Sequence, residues 1–394
     1  MSFEEIRAKD QTYVAGTYNR FPVALASGKN ATCWDEEGNE YIDFTSGIGV
    51  NSLGYADPCW LEAVTAQLQK LQHTSNLFYT EPCGKVAEML STRAGMRKAF
   101  FANSGAEANE CAIKVSRKYS FDKYGEGRSN IVTLENSFHG RTVTTVSATG
   151  QDSFHRFFMP FTPGFVRALP NLEDTLPKLD GTVCAIMMEM VQGEGGIVPL
   201  EQPYVQAVTE YCQAHDILVI VDEVQTGIGR TGSLFACQQY GIQPDIITCA
   251  KGLGAGLPIG AALMNEKTQG VLGHGDHGST FGANPVACAG AAEVLNRLDE
   301  AFLESVREKG AYIREKLCRL HGIESVTGLG LMLGIELSGF TAQQLVAAGI
   351  KKGVLTLTAK KKLRLLPPLT ITYPEIDRGL AALTGAIGSL EGEN

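Results

Sequence analysis

Six short apolar runs alternate with helical or loop stretches along the middle of this chain. They lie near residues 99–102, 131–134, 183–191, 217–222, 246–249 and 260–264. Short apolar runs bounded by turn residues are typical of strands that are buried on both faces. Their alternation with helical stretches predicts an α/β fold, in which a mostly parallel sheet is flanked by helices.

The chain has 394 residues, which is more than a single hydrophobic core ordinarily supports. After a helical stretch that starts at Pro285, the composition changes to a charged helix at 302–320, strands near 330–337 and a closing helix at 374–390. We therefore predict a large domain over residues 51–290 and a smaller α+β domain over residues 291–394.

Charge, cysteine content and hydropathy exclude several classes of protein. The net charge of −9 and the pI of about 5.4 argue against a nucleic-acid-binding protein, which normally has a basic surface. The ten cysteines include no C-x-x-C pair, which favours a reduced cytoplasmic protein over one held by disulfides. We find no signal peptide and no run near the roughly 18 apolar residues of a membrane span, so we expect a soluble protein without a membrane partner.

Lys251 is a lone cation in the apolar, glycine-rich run 246–256. An amine in such a run loses hydration, which lowers its pKa and frees its lone pair to attack a carbonyl carbon. Lys251 is therefore a candidate for forming a Schiff base. The alternative is a lysine at a strand end whose ammonium group reaches solvent.

Asp222 follows the apolar run 217–221, where a buried strand is expected to end. Open α/β sheets bind their ligands at the carboxyl ends of the strands. A carboxylate at that place can hold a heterocyclic nitrogen in its protonated form, as pyridoxal phosphate requires. The alternative is that Asp222 only caps the next turn.

A second group of small residues, Ser104, Gly105 and Ala106, opens a predicted helix directly after an apolar run. The free N–H groups at a helix N-terminus, together with the helix dipole, attract a phosphate. Asn and Ser also cap many helices that bind nothing, so this signal alone is weak.

Two further stretches offer binding groups. Phe138 supplies a flat face for a planar ring, and Arg141 supplies a planar fork that fits a carboxylate. Ser279 and Thr280 place two adjacent hydroxyls in a glycine-rich loop, where they can donate to a phosphate or a substrate. Taken singly, each of these residues is also explained by ordinary core or turn chemistry.

Together these stretches resemble the class III aminotransferases, a subgroup of the fold-type I pyridoxal phosphate enzymes. The resemblance extends over nearly the whole chain, from 18–22 to 363–368, and is most specific at 222–225 and around Lys251. Stretches 76–82 and 138–142 are most similar to the subgroup that acts on acetylornithine in arginine biosynthesis. The chain departs from the pattern at Asp57, where relatives usually have histidine, and at Met190, where proline is common.

The resemblance implies which residues hold the cofactor, pyridoxal 5'-phosphate. They are Ser104, Gly105, Ala106, Phe138, Asp222, Gln225, Lys251 and Thr280. Lys251 would be the covalent attachment point, Asp222 would pair with the pyridine nitrogen and Gln225 would reach the ring hydroxyl. Lys251 and Asp222 would be the catalytic residues. The family's architecture would also add residues 1–50 to the smaller domain.

The resemblance also implies roles at the substrate. Arg141 and Arg364 would anchor carboxylates, and Ser279 would lie beside the substrate. Glu189 would neutralise Arg364 while the amino donor is bound, although a purely structural ion pair is the alternative. Thr280 would reach the phosphate in the neighbouring subunit, which implies a homodimer.

The expected reaction moves the terminal amino group of N2-acetylornithine to 2-oxoglutarate and gives N-acetylglutamate 5-semialdehyde and glutamate. Succinylornithine, ornithine, 4-aminobutyrate and N-succinyl-diaminopimelate remain alternative donors, because each has a carboxylate at one end and a primary amine at the other. Discriminating among them depends on a pocket lining that the sequence does not show.

Two other features point to other chemistry. The run 227–232 satisfies G-x-G-x-x-G, which leaves an NAD-dependent oxidoreductase as a remote alternative. However, four residues separate that run from the strand end, and no acid ends a strand about 20 residues later. His274 and His277 have no nearby third ligand, so we expect a mobile loop there and no metal site.

Overall fold

The computed structural model describes residues 1–392, which form seventeen strands and twelve α-helices. The strands are β1 (Leu25–Lys29), β2 (Thr32–Asp35), β3 (Glu40–Asp43), β4 (Lys98–Ala102), β5 (Asn130–Leu134), β6 (Phe165–Ala168), β7 (Val183–Met188), β8 (Val191–Gln192), β9 (Val198–Pro199), β10 (Leu218–Asp222), β11 (Ile246–Cys249), β12 (Gly260–Met264), β13 (Ile323–Leu329), β14 (Met332–Leu337), β15 (Val354–Leu355), β16 (Leu357–Ala359) and β17 (Lys362–Leu365). The helices are α1 (Phe3–Tyr13), α2 (Ser46–Gly49), α3 (Pro58–Lys70), α4 (Glu81–Ala94), α5 (Gly105–Tyr124), α6 (Val143–Ala148), α7 (Leu172–Thr175), α8 (Gln202–Ala214), α9 (Pro285–Arg297), α10 (Glu300–Leu317), α11 (Ala342–Lys351) and α12 (Tyr373–Gly392).

A seven-stranded sheet in the order β4-β12-β11-β10-β7-β5-β6 forms the centre of the molecule. The five strands from β11 to β6 in that order are mutually parallel, whereas β12 is antiparallel to both of its neighbours. The prediction of a mostly parallel sheet flanked by helices is therefore confirmed. The predicted strand 183–191 is divided, since β7 ends at Met188 and β8 begins at Val191.

Both faces of the sheet are buried, and β10 shows this most directly. Leu218 and Ile220 pack into one hydrophobic cluster, whereas Val219 and Val221 pack into another. Strands that are covered on both faces need continuous rather than alternating apolar residues, as this run has.

Helices cover the two faces of the sheet. On one side α5 packs against β4, β11 and β12 through a stripe of small and apolar residues, including Ala108, Cys111, Ala112 and Val115. Their spacing places them on one face of a helix. On the other side Val205 and Val208 of α8 join the larger cluster. Within residues 1–392, none of these helices combines the length and apolar character needed to cross a bilayer.

The two ends of the chain meet in the smaller sheets. Strands β1, β2 and β3 form an antiparallel set, and β3 pairs in parallel with β15, which places Ile42 opposite Val354. A further antiparallel sheet has the order β13-β14-β17-β16. The division into residues 51–290 and 291–394, with 1–50 added to the latter, stays a prediction. Its boundary at residue 290 lies inside α9.

Arg230 links the N-terminal, central and C-terminal parts of the chain. Its guanidinium is buried and donates from Nη1 to the carbonyl oxygens of Leu331 (3.0 Å) and Pro367 (2.5 Å), and from Nη2 to Ser46 Oγ (3.4 Å). Ser46 Oγ in turn donates to Leu366 O at 2.5 Å. Burial lowers the pKa of Arg230 to about 9.

We expect Arg230→Met to lower the free energy of unfolding by about 2–4 kcal/mol, because it leaves two buried carbonyl oxygens without donors while keeping most of the side-chain volume. Thermal or urea unfolding measures the loss. The matched control is Arg7→Met, since Arg7 is exposed and its pair with Glu4 at 3.7 Å is worth little. Equal stability of the two variants would contradict this role of Arg230.

Candidate active site

Loops at the carboxyl edge of the large sheet surround a cavity of about 380 Å³. Asp222 is the last residue of β10, Glu189 directly follows β7, and Lys251 follows β11 by two residues. Because the carboxyl ends of neighbouring parallel strands share one edge, these side chains converge. The cavity lining includes eight residues predicted from the sequence: Ser104, Gly105, Ala106, Phe138, Glu189, Asp222, Gln225 and Lys251.

One end of the cavity is the N-terminus of α5. Ser104 caps this helix, with Oγ accepting from the backbone N of Glu107 (3.2 Å) and donating to its Oε2 (2.9 Å). Gly105 is the first helical residue, and a Cβ there would lie 2.6 Å from Val224 Cγ1. Only glycine permits this close approach. The backbone N–H groups of the first turn have no partner within the helix and can bind an anion.

Asp222 is buried and accepts three hydrogen bonds. Its Oδ2 accepts from Asn109 Nδ2 and lies next to His139 Nδ1, both at 2.8 Å, and its Oδ1 accepts from the backbone N of Val224 at 3.0 Å. Because an ionised carboxylate only accepts, Nδ1 of His139 is assigned as the protonated, donating nitrogen. The sequence did not point to Asn109 or His139, which lie 113 and 83 residues from Asp222.

Lys251 lines the cavity two residues after the end of β11. Its backbone has a φ of +39°, in the left-handed region that a non-glycine residue seldom adopts. Burial lowers the pKa of its amine, the nearby carboxylates of Glu194 and Asp222 oppose this shift, and the guanidinium of Arg364 adds to it. The amine therefore loses its proton more readily than an exposed lysine.

The ion pair expected between Glu189 and Arg364 is not formed. The carboxylate that contacts Arg364 is Glu194, whose Oε1 lies 2.5 Å from Nη1, and Gln225 Oε1 lies 3.5 Å from the same nitrogen. Glu194 lies in the turn between β8 and β9, which brings it to β17. The acid that contacts Arg364 thus lies five residues after the one expected from the resemblance.

Glu189 instead holds two loops together. Its Oε2 accepts from the backbone N of Phe138 at 2.9 Å, and its Oε1 accepts from the backbone N of Gly193 at 3.2 Å. Burial raises the pKa of this carboxyl to about 7; nearby His139 opposes the shift and the charge of Asp222 adds to it. Glu189 thus ties the loop of Phe138 to the turn that presents Glu194.

Four predicted residues, Arg141, Ser279, Thr280 and Arg364, are not part of the cavity lining. Arg141 is exposed, with its guanidinium carbon 5.2 Å from the ring centre of Phe154. Ser279 Oγ accepts from Gly282 N at 2.9 Å, and Thr280 is exposed. Arg364 reaches the site through its contact with Gln225. A single subunit therefore brings together most of the predicted cofactor residues, but not Thr280.

The groups in the cavity match the chemical requirements of pyridoxal phosphate. The α5 N-terminus fits a phosphate, Phe138 offers a ring face, Asp222 offers a carboxylate for a protonated ring nitrogen, and Lys251 offers a desolvated amine. In the part of the chain that the structure describes, Asn109 Oδ1 and His139 Nε2 are buried without a hydrogen-bond partner. Unpaired polar atoms next to a cavity indicate a binding site more than a packed core.

Comparisons with known proteins agree with this chemistry. A family described as Aminotransferase class-III matches residues 13–387. The acetylornithine aminotransferase of Haemophilus ducreyi is 53% identical, covering 99% of this chain and 100% of that protein. An ornithine aminotransferase structure from Toxoplasma gondii, with partial occupancy of PLP at its active site, has a TM-score of 0.94 at 32% identity and covers 100% of this chain and 96% of its own. The N-acetylornithine aminotransferase of Stenotrophomonas maltophilia K279a has a TM-score of 0.84 at 34% identity, with coverage of 98% and 100%.

The close approach of Gly105 to Val224 generates a prediction. Gly105→Ala should weaken binding of pyridoxal phosphate by about tenfold or more, because the added methyl group displaces Val224 and the first turn of α5. Val224→Ala on the same chain removes the clashing methyl groups and should restore part of the lost affinity. Titration of both variants and of the double variant measures the coupling. If the losses of affinity in the two single variants simply add in the double variant, the contact between Gly105 and Val224 does not shape the anion site.

Proposed function

The chain belongs to the class III aminotransferases, and from that premise we propose that it moves the terminal amino group of N2-acetylornithine to 2-oxoglutarate. The products are N-acetylglutamate 5-semialdehyde and glutamate. The observation that supports transamination most strongly is the convergence of Lys251 and Asp222 on one cavity that is also lined by the N-terminus of a helix. The choice of donor rests on the H. ducreyi relative, which bears the name of this activity.

Lys251 and Asp222 divide the chemistry between them. When bound, pyridoxal phosphate supplies an electron sink for the charge that develops as a substrate C–H bond breaks. Lys251 Nζ would hold the cofactor covalently and, as a free amine, would accept the proton from the substrate carbon. Its lowered pKa favours the neutral amine that this task requires. Asp222 would hold a proton on the ring nitrogen, which would make the sink effective.

Arg364 and Glu194 let one site accept two differently charged substrates. While Glu194 neutralises Arg364, the pocket suits a donor that presents no second carboxylate there. The dicarboxylate 2-oxoglutarate has a second carboxylate, which competes with Glu194 for the guanidinium fork. Arg364 Nε is buried and unpaired among the described residues, so it has a donor left for that ligand. We assign Arg141 to the carboxylate of the donor and place Ser279 beside the substrate.

Ornithine is the second candidate donor. The support for this donor is the structural match to the T. gondii ornithine aminotransferase, which extends over the whole length of this chain. The two donors differ by one acyl group, which removes a positive charge. The pocket therefore has to distinguish a charged amine from a neutral amide at the end of the substrate that carries the carboxylate, away from the terminal amine that reacts.

The deciding experiment compares kcat/KM for acetylornithine, succinylornithine, ornithine, 4-aminobutyrate and N-succinyl-diaminopimelate with 2-oxoglutarate as acceptor. We expect acetylornithine to be the best donor and the kinetics to be ping-pong. Ornithine or 4-aminobutyrate leading by tenfold, about 1.4 kcal/mol, would overturn the proposed donor. Lys251→Ala is the control and should lose turnover by several orders of magnitude; near-normal activity would refute its role.

We also propose that the working enzyme is a homodimer in which Thr280 completes the cofactor site of the partner subunit. The support is an exposed apolar patch formed by Leu77, Phe78, Tyr79 and Phe281, of which Tyr79 is fully exposed. Asn76 Nδ2 donates to Ser279 O and Gly282 O, both at 3.0 Å, and so holds the two halves of the patch together. Large exposed apolar patches usually mark interfaces.

Mixing two inactive variants tests this arrangement. Lys251→Ala destroys the site of its own subunit, whereas Thr280→Glu should repel the phosphate of its partner's site. In a mixed dimer, the subunit with intact Lys251 receives an intact Thr280 from the other subunit. Coexpression in equal amounts should therefore restore on the order of a quarter of the wild-type activity. No recovery, from dimers verified by light scattering, would place Thr280 in its own subunit's site.

The cellular setting follows from the same proposal. We assign the protein to the cytoplasm and to arginine biosynthesis. Each of the ten cysteines is free in the structure, as expected where thiols stay reduced.

A further inference from the structure

We propose that Phe154 is a positioning residue that holds the guanidinium of Arg141 ready for the carboxylate of the amino donor. This inference rests on the proposed function, since it matters only if Arg141 binds that carboxylate. The sequence did not point to Phe154, which lies in the segment between α6 and β6.

The guanidinium of Arg141 is held by two aromatic rings rather than by an acid. Its central carbon lies 5.9 Å from the ring centre of Phe138 and 5.2 Å from that of Phe154. Within residues 1–392 the guanidinium makes no hydrogen bond and no ion pair. A cation within about 6 Å of a ring centre is attracted by the π electrons of the ring. The rings therefore orient Arg141 while its N–H donors stay free for a ligand.

The two rings also contact each other. The ring centres of Phe138 and Phe154 are 5.4 Å apart, and the ring planes meet edge to face at 64°. This is one of the arrangements that aromatic pairs prefer. Because Phe138 lines the cavity, the pair extends from the cavity wall to Arg141. Phe154 thus couples the position of the guanidinium to the wall of the binding site.

The segment that carries the Phe154 ring is tied to the chain before and after the arginine. On one side Gln151 Nε2 donates to Ser137 O at 3.1 Å. On the other side His155 Nε2 donates to Val146 O at 2.7 Å, since a carbonyl oxygen can only accept. The ring is therefore held over the arginine by its own backbone, and not only by contact with the guanidinium.

A guanidinium that is already oriented binds a carboxylate at a lower entropic cost. An unrestrained arginine side chain loses rotamer freedom when it binds a ligand, and rings that restrict it beforehand reduce that loss. The group is planar, so it can contact rings while its N–H fork reaches both oxygens of a carboxylate. The donor keeps its carboxylate throughout the reaction. Phe154 should therefore change the affinity for the donor more than the rate of the saturated enzyme.

The next arginine and phenylalanine along the chain form a similar pair away from the cavity. The guanidinium carbon of Arg156 lies 4.9 Å from the ring centre of Phe157, whose side chain is 75% exposed. Neither residue lines the cavity. This pair has the same chemistry without the connection through Phe138, which makes Phe157 a matched control.

Single turnovers of the first half-reaction test the role of Phe154. Acetylornithine is mixed with the holoenzyme, and the absorbance of the bound cofactor follows the transfer of the amino group. The dependence on donor concentration gives the apparent dissociation constant and the rate at saturation separately. Phe154→Leu removes the ring and keeps an apolar side chain, Phe154→Tyr keeps the ring, and Phe157→Leu is the control.

We expect Phe154→Leu to raise the apparent dissociation constant of acetylornithine about fivefold and to leave the rate at saturation within about twofold of wild type. Phe154→Tyr and Phe157→Leu should keep both quantities within about twofold of wild type. In the Arg141→Met background, replacing Phe154 by leucine should have no further effect, because the guanidinium that the ring positions is gone.

Three results would overturn the role of Phe154. They are an unchanged dissociation constant in Phe154→Leu, equal losses in the leucine and tyrosine variants, and the same loss with and without Arg141. Should Phe154→Leu fail to fold, Phe154→Met replaces it and the same results decide. An unchanged dissociation constant in Arg141→Met overturns the assignment of Arg141 together with the role of Phe154. Wild-type protein that takes no amino group from acetylornithine refutes the proposed function, and the role of Phe154 falls with it.

Discussion

The loss of hydration by charged groups at the carboxyl edge of the large sheet determines how this molecule is organised. Asp222, Glu189 and Arg364 are buried ionisable residues, and each has at least one hydrogen-bond or ion-pair partner from a segment distant in sequence. A buried charge without such partners is strongly destabilising. The loops that supply the partners are therefore joined to one another by these contacts, and they surround a cavity lined by ionisable groups.

The central sheet could be predicted because its strands are buried on both faces and read as continuous apolar runs. The smaller sheets could be predicted only in part, since strands were expected near 330–337, where β14 lies. Strand β1 is almost wholly exposed, and β13 has buried residues only at Val326 and Gly328, so neither shows a recognisable period. Both strands are stabilised by pairing with β2 and β14 rather than by a pattern of their own.

The residues of the candidate site likewise include some whose position could be predicted from the sequence and some whose position could not. The position of Lys251, Asp222 and the 104–106 stretch around one cavity could be predicted because each lies at or near the end of an apolar run, and geometry at such ends is general. Asn109 lies inside a helix, and its importance arises from contacts with residues 30 and 113 positions away. Glu189 and Glu194 are five residues apart, and only the turn between β8 and β9 decides which of them reaches Arg364.

The parallel pairing of β3 with β15 joins residues 40–43 to residues 354–355. Because a ribosome makes the first of these strands long before the second, the edge of β3 has no native neighbour until almost the whole polypeptide has emerged. Contacts this distant in sequence slow folding and leave strand edges open to wrong partners meanwhile. A polypeptide truncated before residue 354 would thus lack the strand that pairs with β3, so its amino-terminal sheet would be incomplete as well as its carboxyl-terminal region.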